Sequence, residues 1–80
     1  MSSSDLVNAP NDLVRNAQLI EKAKKAREEG NYVEAFYYFR QSRDICIDNE
    51  ILDGIVWAKS QMDQIIKENL IFELDEIGKM

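Results

Sequence analysis

The chain has 80 residues, 45% apolar and 31% charged, a composition that fits one small domain, too apolar for a disordered chain and too charged for a membrane protein. Its net charge of −5 repels a phosphate backbone, so no nucleic acid is expected as a partner. With one cysteine and no histidine it lacks the common zinc ligand sets, the Ser-His and Cys-His nucleophile pairs and any internal disulfide. The expectation is therefore a protein that is not an enzyme, with no metal and no cofactor, in a reducing, cytoplasmic setting.

Met1 to Pro10, MSSSDLVNAP, is serine-rich and closed by the only proline, so residues 1–10 read as a disordered lead-in and residues 11–78 as the domain. No apolar run approaches the roughly 18 residues of a membrane span, and this opening lacks the basic start and long apolar stretch of a secretory signal. From Asn11 on, Leu13, Ala17, Ile20 and Ala23 recur at helical spacing, widened by Val14, Leu19 and Ala26. That spacing predicts a first helix over about 11–29, with Gly30 suited to the left-handed position just past its end.

A second helix is expected over about 32–47. Asn31 and Glu34 have the spacing of a reciprocal capping pair, and Tyr32, Ala35, Phe36, Phe39, Ser42 and Cys46 form a broad apolar face. The short Gly-Asn connection makes the first two helices an antiparallel hairpin. Cys46 on the buried face reads as a small hydrophobe. Asp48 and Asn49 can end the second helix and cap the third, placing Glu50 in its first turn, where the helix dipole favours a carboxylate. The third helix, about 50–77, carries the stripe Ile51, Ile55, Ala58, Met62, Ile65/Ile66, Leu70, Leu74 and Ile77. The hairpin is too short to cover all of it. Leu70, Phe72 and Leu74, with Ile71 and Ile77, either fold back or present apolar surface to a partner protein or a second copy of the chain. The fold class that follows is all-α, an antiparallel helical hairpin plus a longer third helix in a three-helix bundle.

The stretch LIEKAKKAREEGNYVEAFYYFRQS, Leu19 to Ser42, resembles a tetratricopeptide repeat. Leu19 matches the first large position, Ala23 the small one, Gly30 and Tyr32 the turn, Ala35 the small crossing point, Phe39 the aromatic and Ser42 the last small site. Lys22 and Ile47 depart from the pattern, and there is no 34-residue self-similarity, so a long solenoid is not expected. Its part LIEKAKKAREEGNYVEAFYYF, Leu19 to Phe39, is similar to the first two helices of the microtubule-interacting and trafficking domain, a three-helix bundle. Trp57 separates the two registers: as a repeat it turns into the core, as a bundle it lies at a rim.

Either resemblance implies a protein-interaction module of adaptor or regulatory kind. In the repeat reading the first helix lines a concave face, and Ala17, Ile20, Lys24 and Arg27 are the matching positions. One apolar residue beside two cations suits a peptide bearing an acid or a free C-terminal carboxylate. The alternative is that Lys24 and Arg27 are solvated charges on an amphipathic helix. In the trafficking-type reading an amphipathic partner helix lies beside helix three, over Ile55, Met62 and Ile66, which can equally be core. The candidate partner-binding residues are thus Ile20, Lys24, Arg27, Leu70, Phe72 and Leu74. A different class of function, a self-associating helical protein that forms a homodimer through the third helix, stands beside the adaptor reading.

Overall fold

A computed structural model describes the backbone of residues 3–69 and the side chains of residues 11–69. Three helices follow one another: α1 (Ser3–Glu28), α2 (Tyr32–Asp48) and α3 (Leu52–Asn69). α1 and α3 each pack on α2 and make no backbone contact with each other, so α2 is the shared middle element of a sequential three-helix domain. α1 includes the backbone from Ser3 through Pro10, ahead of the start read from the sequence at Asn11. α3 is described to Asn69, and the expected continuation toward residue 77 lies outside the described residues.

Both reversals are built the same way. At the first, Gly30 takes a φ of 83°, its N–H donates to the Arg27 carbonyl at 3.1 Å, and the Asn31 N–H donates to the Ala26 carbonyl at 2.8 Å. These are the two bonds of a Schellman closure, and glycine is the residue that adopts the left-handed conformation without a Cβ penalty. The same closure explains why the expected Asn31/Glu34 capping pair does not form. Asn31 makes no side-chain cap bond, and its N–H, which Glu34 would need, is already taken by Ala26. Glu34 instead accepts a long bond of 3.4 Å from the Tyr38 hydroxyl one turn on.

At the second reversal Glu50 N–H donates to the Ile47 carbonyl at 3.1 Å and Ile51 N–H to the Cys46 carbonyl at 2.8 Å. Here the left-handed residue is Glu50, at φ 57°. The expectation that Glu50 sits in the first turn of the third helix is therefore corrected: it is the hinge of the turn, and Asp53 is the acidic residue of the α3 first turn.

Alanines let the helices approach, and aromatics fill the space beside the crossing. Ala23 and Ala26 of α1, Ala35, Phe36 and Phe39 of α2, and Met62, Ile65 and Ile66 of α3 form one buried cluster, with Tyr32 and Tyr38 packed against it. Toward the other end Leu19, Ile45, Cys46 and Ala58 are buried as well. The N-terminal half of α1 differs from its expected stripe, because Leu13 and Val14 are more than half exposed. There α1 meets α2 through polar pairs: Asn49 Nδ2 donates to Asp12 Oδ2 at 3.0 Å, and the Ser42 hydroxyl, fully buried, donates to Asn16 Oδ1. Asp12, Asn16, Leu19, Ala23 and Ala26 share one helix face, which leaves Leu13 roughly 100° around the helix from Asp12.

Candidate functional site

The sequence-derived positions on α1 fall along the side that looks toward α3. Arg27 reaches across: Nη1 donates to Gln61 Oε1 at 2.8 Å and Nη2 to Glu68 Oε1 at 2.9 Å. Gln64 Nε2 donates to the second oxygen of the same carboxylate, Glu68 Oε2, at 3.0 Å. Those hydrogen bonds, from Arg27 first and Gln64 second, hold the Glu68 carboxyl below its ordinary range. Arg27 is therefore a cation already supplied with a carboxylate by its own chain, and its side chain ties α1 to α3 where their backbones do not meet.

Ile20 precedes Arg27 by two helical turns on the same face and is half-buried, while Lys24, one turn before Arg27, is exposed. On α3, Gln61, Gln64 and Glu68 share a face with Trp57, since these positions follow one another at three- and four-residue intervals. Trp57 is 39% exposed and packs edge-on against Phe39, ring centroids 5.6 Å apart and planes at 73°. Ile20 and Lys24 thus share a face of α1 with Arg27, and Trp57 shares a face of α3 with Gln61 and Glu68; the Arg27 bridge joins these two faces across the seam between α1 and α3.

Of the six residues singled out in the sequence, Ile20, Lys24 and Arg27 share one face of α1, and of these Arg27 reaches α3; Leu70, Phe72 and Leu74 lie outside the described residues. The sequence reading missed Gln61, Gln64 and Glu68. Their spacing with Trp57 was the available signal, but nothing local says that this polar edge of α3 faces Arg27.

Other chemistry is sparse. Among the described residues no group of three His, Cys, Asp or Glu side chains is placed to hold a metal ion. Burial raises the Cys46 thiol pKa, which disfavours the reactive thiolate. No described helix is long and apolar enough to cross a membrane.

The class these features define is a small three-helix all-α domain. No protein family, no curated protein and no solved structure was found to match the chain.

Proposed function

We propose that the domain is a protein-interaction module of adaptor or regulatory kind, which takes a peptide or helix of a partner protein in the seam between α1 and α3. The observation that carries this reading is the seam itself: two helices held on a common third one without backbone contact between them and bridged by Arg27, with an accessible aromatic, Trp57, and a half-buried aliphatic, Ile20, on the helix faces that the bridge joins. An amphipathic segment laid there covers apolar surface on both faces at once. Arg27 and Lys24 bias the choice toward a segment that carries a carboxylate.

The finer resemblance belongs to this proposal too. Ala58, Met62, Ile65 and Ile66 are the buried stripe of α3 and Trp57 is at its margin, the rim position of the trafficking-type register, while the packing of α1 and α3 on α2 and a docking site on α1 are those of the repeat reading.

Selecting peptide binders against the whole chain from a displayed library tests the reading. Binders that lose affinity to Ile20→Asp or to Lys24→Glu, with the helical circular dichroism of the domain unchanged, support it. Binders indifferent to both substitutions refute the seam as the docking site.

A second reading, self-association through α3, is favoured by Leu52 and Val56, one turn apart and 73% and 69% exposed. Sedimentation over a concentration series decides it: a mass that stays at the monomer value throughout eliminates the dimer.

A further inference from the structure

The protein shows what its central cation accepts. Arg27 offers five N–H donors in a planar fork, and it spends two of them on an amide oxygen of Gln61 and a single carboxylate oxygen of Glu68. The pair with Glu68 is thus one-pronged, because the other oxygen of that carboxylate is held by Gln64. A carboxylate free of such a tether can present both oxygens to the guanidinium, the stronger and more directional arrangement. The Glu68 side chain is 49% exposed, so water and solutes reach the pair. Glu68 also lies in the last described turn of α3, beyond Ile65 and Ile66, so among the described residues swinging its side chain aside moves no buried group.

Resting on the seam reading above, we infer that Glu68 is a built-in occupant of the Arg27 site, holding the place that a carboxylate takes when an apolar, acid-bearing segment of a partner protein enters between α1 and α3. The occupant's chemistry follows from these two faces. Its carboxylate meets Arg27, and its apolar side chains run along Ile20 and Trp57, which lie on the same helix faces as Arg27 and Glu68 respectively. Glu68 competes with every such ligand and lowers its apparent affinity by the fraction of time Arg27 is engaged. A partly exposed ion pair supplies a modest handicap, about 1.5- to five-fold. The contact is autoinhibitory in the plain sense that an internal anion stands in for an external one, and it gives selectivity, since a segment with no carboxylate leaves the pair undisturbed and gains nothing from Arg27.

The test uses the full chain and two probes: a short acetylated peptide of leucines with one aspartate and a free C-terminus, and its neutral counterpart with asparagine and a C-terminal amide. Trp57, the only tryptophan, reports binding through its fluorescence. Expected results are an about 1.5- to five-fold tighter Kd for the acidic peptide in Glu68→Gln than in the unaltered chain, loss of that gain in Glu68→Gln/Arg27→Gln, and no difference between Glu68→Gln and the unaltered chain for the neutral peptide. Gln64→Ala, which releases one oxygen of Glu68 without removing its charge, gives a smaller gain in the same direction and serves if Glu68→Gln loosens the fold.

Equal affinity of the unaltered chain, Glu68→Gln and Gln64→Ala for the acidic peptide overturns the competition while leaving seam binding intact. A gain that survives the loss of Arg27 overturns the assignment of the cation. Failure of every form to bind either peptide overturns the inference and counts against the seam reading beneath it.

Discussion

Gly54 is where the packing of α3 on α2 leaves no room for a methyl group. A Cβ built on Gly54 stands 2.5 Å from Cys46 Sγ and 3.4 Å from both Cys46 Cβ and Ile51 Cγ2, whereas non-bonded heavy atoms settle at about 3.5–4.0 Å. Cys46 is 1% exposed, so its sulfur has nowhere open to go. In Gly54→Ala two effects oppose each other. Alanine inside a helix is favoured over glycine by about 0.8–1.0 kcal/mol, and an extra methyl in a tight core costs about 1–3 kcal/mol. The net expectation is destabilisation of about 1 kcal/mol, a fall in Tm of roughly 4–8 °C for a domain of this size.

Cys46→Ala alone removes the sulfur, leaves a small void and costs about 1 kcal/mol. The double variant places the new methyl where the sulfur was, so it keeps the helix gain and fills the void. It should return to within about 0.5 kcal/mol of the unaltered chain, a favourable coupling of roughly 1.5–2 kcal/mol between the sites. Urea unfolding followed by far-ultraviolet circular dichroism on all four proteins closes the cycle. Additive single effects, or a Gly54→Ala chain more stable than the original by the helix term alone, refute the close approach of α2 and α3 at this point.

The two reversals make opposite predictions under the same assay. Glu50→Gly relieves a left-handed, Cβ-bearing residue and should stabilise by about 0.5–1 kcal/mol, while Gly30→Ala introduces the same strain and should destabilise by about 1 kcal/mol. Ala35→Leu forces bulk into the α1–α2 crossing, where Ala35 is fully buried, and should cost about 1–3 kcal/mol by urea unfolding. Glu68, with its carboxyl pKa lowered in the fold, contributes stability that is present above the ordinary glutamate value of about 4.3 and lost as pH falls through the lower folded value. In Glu68→Gln that part of the acid dependence should vanish from unfolding curves taken across this range; an unchanged profile contradicts the Arg27–Gln64 hold on the carboxylate.

What the sequence made legible was local or compositional. Gly30 marks a left-handed turn because few other residues adopt that conformation cheaply, and Ala23 and Ala35 mark a close crossing because small residues between larger apolar ones have few other uses in a helix. Phe36, Phe39, Met62 and Ile65 were legible as core from helical periodicity alone. Glu50 was not legible as the hinge of the second turn, since glutamate favours helices, and it takes φ 57° because the Cys46 and Ile47 carbonyls are closed there whatever the side chain.

Leu13 and Val14 misled for a related reason. An apolar residue at helical spacing reads as buried, but the face of α1 that meets α2 there is set by Asp12 and Asn16, whose partners Asn49 and Ser42 are more than twenty residues away. The candidate site shows the same division: Ile20, Lys24 and Arg27 were readable as one helix face, and their α3 neighbours were not, because the Arg27 pairing with Gln61 and Glu68 exists only once both turns have brought α3 alongside α1.

That dependence has a thermodynamic consequence. α1 and α3 meet through side chains in the shared core cluster and through the Arg27 bridge, and never backbone to backbone. A ligand that occupied the proposed seam would add contacts to both helices together and would bind best when both are docked on α2. By linkage, occupancy stabilises the folded arrangement by RT ln(1 + [L]/Kd), about 2.7 kcal/mol at a hundred-fold excess over Kd. For a domain this small that increment is a large share of total stability, which for folded domains is about 0.05–0.15 kcal/mol per residue. A true seam ligand must therefore raise the unfolding midpoint and slow amide exchange in α3 as well as α1, whereas a ligand on the outer surface of a single helix protects that helix alone.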